Sequence, residues 1–320
     1  MIIVTGGAGF IGSNIVKGLN DIGIKNIIIV DKLRNQNKWK NLVGLKFEDF
    51  IDKDAFLDIL RQNKIPHISA IIHMGACSST TETDADYLMQ NNFKYSKKIF
   101  LYCKRRKIPL IYASSAATYG DGSQGYDDAL FDLKPLNMYG YSKKLFDDYM
   151  REHFDNSFQC VGLKFFNVFG PNEYHKGTMA SMVFHGYNQI VKTGKVKLFK
   201  SENPNFKDGE QKRDFIYVKD AVKIVLFFLH NKDKSGIFNV GTGIARTFND
   251  MMIATFAALK KKPNIDYIDM PEHLRGKYQY FTQAKMDKMI KAGYTQAFYT
   301  LEEGVTDYVQ NYLKKDFLGV

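Results

Sequence analysis

Cysteine is scarce in this chain of 320 residues, and its positions exclude two classes of protein. The three cysteines, Cys77, Cys103 and Cys160, lie far apart along the sequence. Neither a disulfide framework nor a metal-binding cluster has this spacing. We therefore expect reduced thiols, as in a cytoplasmic protein.

Long apolar runs are also missing. No stretch approaches the roughly 20 residues that span a bilayer as a helix. The first segment, Met1–Thr5, runs directly into glycines and lacks the basic-then-apolar pattern of a secretion signal. We therefore expect a cytoplasmic protein without a membrane partner.

Acidic residues are fewer than basic ones, 34 against 45, which gives a formal charge of +11. Such an excess is compatible with nucleic acid, an acidic surface or a multiply phosphorylated ligand. The lysines are spread along the chain and form no basic tail. We expect no nucleic acid partner, whereas a pyrophosphate-containing substrate would benefit from the positive field.

The N-terminus carries a glycine-rich segment between a predicted strand and a predicted helix. Met1–Thr5 is short and apolar, as in a buried parallel strand, and a helical pattern covers Phe10–Asn20. Between them, Gly6 permits a tight turn, Gly9 lets the backbone approach a pyrophosphate, and Gly12 lets the helix pack on the strand. With the free N–H groups of the helix N-terminus, this pattern predicts a dinucleotide site.

Asp31 follows the second predicted strand, Asn26–Val30. A carboxylate there can bond the adenosine ribose hydroxyls, which usually indicates NAD. Lys32, Arg34 and Lys38 occupy the same loop and could neutralise the 2′-phosphate of NADP. Residue chemistry alone therefore leaves NAD and NADP equally supported.

Further apolar runs alternate with helical patterns, which predicts an α/β fold built on a Rossmann doubly wound parallel sheet. The next predicted strands are Lys46–Phe50, Ala70–His73, Leu110–Ser114 and Gln159–Phe165, with helices at Asp52–Gln62 and Asp84–Arg106. A loop of small residues after Ala70–His73 would lie against the cofactor, and Asn91 would hold the following turn. The members of this loop are Met74, Gly75, Ala76, Cys77, Ser78 and Ser79.

Tyr139 and Lys143 are four residues apart in a predicted helix, Tyr139–Phe154, so both project from one face. A neighbouring ammonium favours the phenolate and lowers the pKa of the phenol. Such a tyrosine can remove an alcohol proton while hydride leaves the same carbon. Ser115 closes a strand beside this helix, where its hydroxyl could bond the substrate oxygen or simply form a turn.

A change in composition near Gly170 and Pro171 predicts a domain boundary. The dinucleotide-binding domain is predicted over 1–170, with return segments at about 213–240. A smaller mixed α/β substrate-binding domain would comprise 171–212 and 241–320. Its predicted elements are strands at Lys197–Phe199 and Ile265–Ile268 and helices at Thr247–Lys260, Thr282–Ala292 and Leu301–Leu313.

Five motifs occur together in this chain. They are Gly-Gly-Ala-Gly-Phe-Ile-Gly at 6–12, Ser114-Ser115, Tyr139-x-x-x-Lys143, Asn167 with Gly170-Pro171, and Arg-Asp-Phe-Ile-Tyr-Val at 213–218. The combination resembles the extended short-chain dehydrogenase/reductases, a family that includes nucleotide-sugar epimerases and dehydratases, over nearly the whole chain. Segments 75–82, 112–120 and 175–181 are similar to the ADP-L-glycero-D-manno-heptose 6-epimerases, which supply heptose for the lipopolysaccharide inner core.

The resemblance implies a reaction at C6 of an ADP-heptose. A tightly held nicotinamide would take hydride from the C6 carbinol, and the same hydride would return to the other face of the resulting aldehyde. Tyr139 would be one acid/base group and Lys176 the second, with Lys143 and Ser115 completing the catalytic set. From residue chemistry alone, Lys176 could instead bind a phosphate or be solvated. A lysine base also needs a lowered pKa, to which burial or His175 could contribute.

The resemblance also implies NADP as the cofactor, one tightly bound molecule per subunit, in a homo-oligomer. The implied cofactor contacts are Phe10, Ile11, Asp31, Lys32, Lys38, Lys53, Ser78, Asn91, Lys143, Val168 and Lys176. The implied substrate contacts are Ser115, Asn167, Thr178, His185, Ser201, Arg213 and Tyr278. The planar guanidinium of Arg213 suits a pyrophosphate, although an ion pair with Asp214 is the alternative. The segment Glu202–Lys212 is longer than is usual in the family.

Three other functions can be weighed against this one. A dehydratase would need an acidic pair where Ala116 and Ala117 stand, so dehydration is not expected. A nucleotide-sugar 4-epimerase could work with Tyr139 alone and would leave Lys176 without a role. A non-catalytic nucleotide-binding regulator would need neither Tyr139 nor Lys143.

Overall fold

The computed structural model describes residues 1–34, 37–272 and 278–315. Its largest sheet is parallel throughout, in the order β10-β6-β5-β4-β1-β2-β3. Strand order reverses between β1 and β4, which confirms the predicted Rossmann doubly wound sheet. The strands are β1 (Ile2–Thr5), β2 (Ile27–Asp31), β3 (Asp49–Asp52), β4 (Ala70–His73), β5 (Leu110–Ser115), β6 (Cys160–Phe165), β7 (Asn167–Phe169), β8 (Val196–Phe199), β9 (Lys212–Tyr217), β10 (Gly236–Val240), β11 (Ala245–Thr247) and β12 (Ile265–Ile268).

Helices cover both faces of this sheet, which is why its central strands are apolar on both sides. Helices α1 and α7 pack on one face through Val16 and Val225, and α4 and α5 pack on the other through Phe100 and Phe146. The helices are α1 (Phe10–Asp21), α2 (Lys53–Arg61), α3 (Ala85–Leu88), α4 (Tyr95–Arg106), α5 (Met138–His153), α6 (Met182–Thr193), α7 (Val218–His230), α8 (Phe248–Ala258), α9 (Asp287–Lys291) and α10 (Leu301–Asp307). Among the described residues, no helix has the length and apolar character to cross a membrane.

Two smaller sheets lie beside the large one. Strands β11, β9 and β7 form one of them, and β12 pairs with β8 in the other. Helices α6, α8 and α10 share a separate apolar core with these strands. Strand β10 returns to the large sheet beside β6, whereas β9 belongs to the small sheet. The division at residue 170 stays a prediction.

Several element boundaries differ from those expected. The third strand is Asp49–Asp52 instead of Lys46–Phe50, because this edge strand takes its register from β2. Strands β7, β9 and β11 were not predicted, since each depends on pairing with distant residues. The helix expected at Thr282–Ala292 begins only at Asp287, because the chain at Tyr280–Thr282 pairs with Lys212 of β9: the Lys212 N–H donates to the Tyr280 carbonyl and the Thr282 N–H donates to the Lys212 carbonyl.

Candidate active site

The glycine-rich segment forms a tight turn between β1 and α1. Gly6 has a φ of +67°, a left-handed conformation that favours glycine. A Cβ on Gly12 would lie 2.1 Å from the carbonyl oxygen of Gly6, so the helix could not approach the strand with any larger residue there. Gly9 precedes α1 and leaves its first N–H groups without a side-chain cap. Free N–H groups at a helix N-terminus are the chemistry that a pyrophosphate requires.

A cleft of about 400 Å³ opens at this turn, along the carboxyl edge of the large sheet. Most of the expected cofactor contacts line it, namely Gly6, Gly9, Phe10, Ile11, Gly12, Asp31, Lys32, Lys38, Lys53, Met74, Gly75, Ala76, Cys77, Ser78, Asn91 and Lys176. Val168 on β7 and Lys143 on α5 are not among the lining residues, although Lys143 donates to the carbonyl of Ala113, which is one, so their cofactor contacts stay predictions. Ser79, also expected in this loop, lines the cleft as well, whereas sequence reasoning missed Tyr87 on α3 and Tyr95 on α4. Their positions depend on how the helices fold back, and no local motif marks them.

Positive charge dominates one end of the cleft. The Asp31 carboxylate accepts hydrogen bonds from the Ala8 backbone N–H at 2.9 Å and from Lys38 Nζ at 2.5 Å, so it is neutralised within the protein. Lys53 Nζ donates to the Asn91 side chain, and burial lowers the pKa of Lys53. Among the described residues that line this end, Asp31 therefore stands with several cations, of which Lys32 also pairs with Asp54 outside the cleft walls.

Tyr139 lies at the start of α5, close to the end of β5. Asn137 caps the helix by accepting the Gly140 N–H at 2.8 Å. A Cβ on Gly140 would lie 2.6 Å from the Ala117 carbonyl oxygen, so glycine allows the helix to approach this turn closely. The approach brings Tyr139, only 8% exposed, into a hydrogen bond with the Ser115 side chain. The structure thus brings together two members of the expected catalytic set.

The electrostatics of this pair differ from the expectation. Burial raises the pKa of Tyr139, and the hydrogen bond with Ser115 opposes that rise only in part. Lys143 Nζ donates to the Ala113 carbonyl at 2.9 Å, and burial lowers the pKa of Lys143 to about 8. Burial changes the pKa of Tyr139 more than any neighbouring group does. The lowering of this pKa that was expected from Lys143 is therefore not found.

A buried carboxylate fastens α5 to the sheet. Asp147 accepts hydrogen bonds from Tyr112 at 2.9 Å and Ser114 at 2.7 Å, and its carboxylate lies 3.2 Å from Lys164 Nζ. Its charge also partly offsets the lowering of the Lys143 pKa. Sequence reasoning missed this ion pair, whose two members are distant in the chain.

Lys176 projects from the turn Tyr174–Met179 and lines the cleft. Its ammonium lies 5.3 Å from the centre of the Phe10 ring. Burial lowers the pKa of Lys176, while the buried Glu173 acts in the opposite direction. The Glu173 carboxylate accepts the backbone N–H and the hydroxyl of Ser181, both at 2.6 Å, and so holds this turn against α6. Burial therefore lowers the pKa of Lys176, which is one of the two causes that the sequence suggested.

His175, the neighbour of Lys176, is neutral in this environment. Burial, followed by the charges of Lys38 and Lys176, lowers the pKa of His175 to about 4. Its Nδ1 lies 3.2 Å from the side-chain nitrogen of Asn41. The imidazole therefore adds no charge to the cleft at neutral pH.

Arg213 is a buried cation between two aromatic rings. Its guanidinium carbon lies 5.1 Å from the centre of the Tyr278 ring and 5.7 Å from that of Phe248. The alternative of an ion pair with Asp214 is wrong, because adjacent residues of a strand point to opposite faces. The Asp214 carboxylate instead accepts hydrogen bonds from the Thr242 N–H and hydroxyl, the Gly243 N–H and the Ala284 N–H. Arg213 and Tyr278, both expected to contact substrate, are thus in contact with each other.

The other expected substrate contacts lie on separate elements. Asn167 stands opposite Phe215 in the pairing of β7 with β9. Thr178 shares the turn of Lys176, and His185 lies on α6. Ser201 follows β8, and the rest of the long segment folds over it, since Asp208 accepts its backbone N–H at 2.8 Å. Their contacts with substrate stay predictions.

Comparison with known proteins supports the interpretation of this site. Residues 2–241 match the NAD dependent epimerase/dehydratase family. The chain belongs to this family. An ADP-L-glycero-D-manno-heptose-6-epimerase of Fusobacterium nucleatum subsp. nucleatum is 56% identical over 328 aligned residues, which cover 99% of each chain.

Solved structures show the same similarity. An ADP-L-glycero-D-manno-heptose-6-epimerase of Helicobacter pylori superposes with a TM-score of 0.84 at 32% identity, covering 97% of this chain and 95% of the other. A UDP-glucose 4-epimerase of Thermus thermophilus, in complex with NAD, gives a TM-score of 0.77 at 24% identity, with 96% and 97% covered. The second likeness shows the fold alone.

Proposed function

We propose that this protein converts ADP-D-glycero-β-D-manno-heptose to ADP-L-glycero-β-D-manno-heptose at C6, as a homo-oligomer in the cytoplasm, for the lipopolysaccharide inner core. The observation that carries the proposal is the 56% identity, over 99% of both chains, to a protein with that activity in its name. The site adds two acid/base candidates on separate elements, Tyr139 on α5 and Lys176 in the turn Tyr174–Met179.

Inversion at C6 needs a proton group for each orientation of the substrate. Tyr139, as its phenolate, would take the proton of the C6 hydroxyl, and Ser115, already hydrogen bonded to Tyr139, would bond the same oxygen. When bound, the oxidised nicotinamide accepts a hydride from C6 and returns it, and its positive charge favours the phenolate. After the aldehyde has turned, Lys176 would return a proton to its oxygen, for which a lowered pKa is suitable.

NADP is the cofactor that these residues favour. The Asp31 carboxylate, which would bond the ribose of NAD, is already bound by Ala8 and Lys38. Lys32, Arg34 and Lys53 line the same end of the cleft and could neutralise a 2′-phosphate. Lys143 would contact the bound cofactor from α5, as the family resemblance implies.

Arg213 would bind the substrate pyrophosphate. Its guanidinium is buried beside Tyr278 and Phe248 and has no carboxylate partner among the described residues. One terminal nitrogen donates to the Lys212 carbonyl at 2.9 Å, and the remaining N–H groups could donate to two adjacent phosphate oxygens. A UDP-hexose 4-epimerase remains the second candidate, because Tyr139 alone could serve that reaction. A nucleotide-binding regulator is a remote third.

The test follows ADP-D-glycero-β-D-manno-heptose with deuterium at C6, incubated with purified protein and no added cofactor. We expect the 6-epimer to appear with deuterium retained at C6. Loss of the label to solvent would contradict the internal return of hydride. If no epimer forms even with added NADP or NAD, the heptose assignment fails, and conversion of UDP-hexoses would then identify a 4-epimerase.

A further inference from the structure

Glu173 is a buried carboxylate, 0% exposed, at the start of the turn that carries Lys176. One carboxylate oxygen accepts the Ser181 backbone N–H at 2.6 Å, and the other accepts the Ser181 hydroxyl at 2.6 Å. Ser181 is the N-cap residue of α6, where its hydroxyl accepts the Phe184 N–H at 3.3 Å. The Glu173 side chain therefore closes the chain between 173 and 181 into a loop at the start of α6.

The backbone of the same loop fixes the position of Lys176. The Lys176 N–H donates to the Glu173 carbonyl at 2.9 Å, and the Ala180 N–H donates to the Gly177 carbonyl at 3.1 Å. Gly177 has a φ of +56°, a left-handed conformation that favours glycine, so the chain changes direction directly after Lys176. Lys176 thus lies within a short closed loop whose shape depends on the contact between Glu173 and Ser181.

The residues that precede Glu173 are fastened to the helix of the glycine-rich turn. The Asn14 side chain donates to the Pro171 carbonyl at 3.0 Å, and the Asn172 side chain donates to the Ser13 hydroxyl at 2.8 Å. Ser13 and Asn14 both lie on α1. Because the loop is fixed to α1 on one side and to α6 on the other, its lysine is held at a set place in the cleft.

Glu173 also places a negative charge beside Lys176. Burial raises the pKa of Glu173, while the Ser181 donors and the Lys176 charge oppose this rise. The Glu173 charge in turn opposes the lowering of the Lys176 pKa by burial. Burial, followed by the Glu173 charge, raises the pKa of Tyr308, whose ring lies 6.4 Å from that of Tyr174, so the Tyr308 phenol stays neutral. The carboxylate is thus stabilised by its donors and by the lysine.

The other ionisable groups near the turn bring little net charge to Lys176. His175, the preceding residue, is neutral because its pKa falls to about 4 on burial. Lys38, which acts on His175 from across the cleft, is paired with Asp31 at 2.5 Å. The charge that opposes the effect of burial at Lys176 therefore comes from Glu173.

We propose that Glu173 is a positioning residue for Lys176, which it holds in the cleft through Ser181 and keeps protonated through its negative charge. This inference rests on the proposed function, in which Lys176 returns a proton to the aldehyde oxygen. Glu173 itself would not contact the substrate, because its side chain is enclosed by the turn and α6. An opposite charge close to an amine favours the ammonium form, so removal of the carboxylate should release the proton at lower pH.

The first experiment measures the pH dependence of kcat for Glu173→Gln, Ser181→Ala and Asp220→Asn in the complete protein. In Glu173→Gln the side-chain amide can accept the Ser181 N–H and donate to the Ser181 hydroxyl, so the charge is lost and the contact is kept. Ser181→Ala removes the hydroxyl contact and keeps the charge. Asp220 is a matched control, because this buried carboxylate also accepts a backbone N–H, from Tyr299 at 2.7 Å, and pairs with a lysine, Lys223 at 2.8 Å, on α7.

The two contributions of Glu173 should separate in these variants. In Glu173→Gln the alkaline limb of the kcat profile should move to a pH about 1–2 lower, so that activity is lost at alkaline pH and recovers as the pH falls. Ser181→Ala should lower kcat about 3- to 10-fold at every pH, with KM within about threefold of wild type and the limb in place. Asp220→Asn should lower Tm and leave kcat and its pH profile unchanged.

A second measurement does not depend on activity. Competitive acetylation with acetic anhydride over a range of pH, followed by mass spectrometry of the Lys176 peptide, gives the pH at which half of Lys176 has lost its proton. This midpoint should be about 1–2 lower in Glu173→Gln and unchanged in Ser181→Ala and Asp220→Asn. Lys53, which lines the same cleft, should keep its midpoint in every variant. If Glu173→Gln does not fold, Glu173→Asp, whose shorter side chain withdraws from Ser181, should lower kcat about tenfold, and the wild-type kcat would overturn the proposal.

The outcomes separate this inference from the proposed function. If Glu173→Gln keeps the wild-type pH profile, or if the Lys176 midpoint does not change, the role of Glu173 is wrong. An equal change in the midpoint of Lys53 would also overturn it, since the effect would be general. If wild type itself does not act on ADP-heptose, the proposed function fails, and the acetylation midpoints still decide whether Glu173 keeps Lys176 protonated.

Discussion

Replacing Arg213 should weaken substrate binding without destabilising the fold. Arg213 is 7% exposed, and burial lowers the pKa of its guanidinium, so the protein bears a desolvation cost for its charge. The cation–π contacts with the rings of Tyr278 and Phe248 offset this cost by stabilising the folded state by about 0.5–2 kcal/mol each. Arg213→Met keeps most of the apolar contact and removes both the cost and the two cation–π contacts. We expect the free energy of unfolding to change by less than about 1 kcal/mol.

Binding should respond more strongly than stability. A pyrophosphate would lose one or two hydrogen bonds from a charged group, which are worth about 1.5–3 kcal/mol each. Since 1.4 kcal/mol corresponds to a factor of ten, ADP should bind at least about 10- to 100-fold more weakly to Arg213→Met. Calorimetric titration with ADP measures this change, and thermal unfolding of the same samples measures stability.

Arg246 provides a matched control. It stands directly opposite Arg213 in the pairing of β11 with β9, but it forms ion pairs with Glu302 at 2.7 Å and Asp250 at 3.1 Å. Partly exposed ion pairs contribute about 0–1 kcal/mol, so Arg246→Met should cost little stability and leave ADP binding unchanged. The reasoning is refuted if Arg213→Met binds ADP within twofold of wild type, or if it loses more than about 3 kcal/mol of stability.

Three further predictions concern the catalytic and cofactor groups. Tyr139→Phe should lower kcat about 100- to 10,000-fold with Tm nearly unchanged, because it removes only the proton-transferring hydroxyl. A loss of activity below tenfold would contradict the role of Tyr139 in proton transfer. Lys38→Ala should weaken NADP binding about 10- to 100-fold and leave NAD binding unchanged or stronger, because the Asp31 carboxylate loses its lysine partner. Fluorescence titrations with each cofactor measure both affinities, and equal losses for NADP and NAD would contradict the prediction. Folding lowers the pKa of Lys143 from 10.5 to about 8. Between these two pH values the unfolded state binds more protons at Lys143 than the folded state does, so this residue makes the free energy of unfolding rise with pH. Lys143→Met should lack this rise, and equal slopes of unfolding free energy against pH in both proteins would contradict it.

The features that the sequence determined by itself are local in the chain. The turn at Gly6–Gly12 depends on neighbouring backbone atoms, as the contact between Gly12 and the Gly6 carbonyl shows. The alternation of apolar runs with helical patterns likewise predicts a parallel sheet, because strands covered on both faces must be apolar throughout. These features predict the cofactor cleft and most of the residues that line it.

The tertiary structure decided those contacts and pKa values that depend on residues far apart in the chain. Tyr139 and Lys143 share a helix face as their spacing predicts, but burial between β5 and α5 sets the direction of the Tyr139 pKa. Asp147 meets Lys164, and Asn92 meets Cys77, only after helices and strands have packed. Desolvation and hydrogen bonding are properties of the packed neighbourhood, and a one-dimensional pattern records neither.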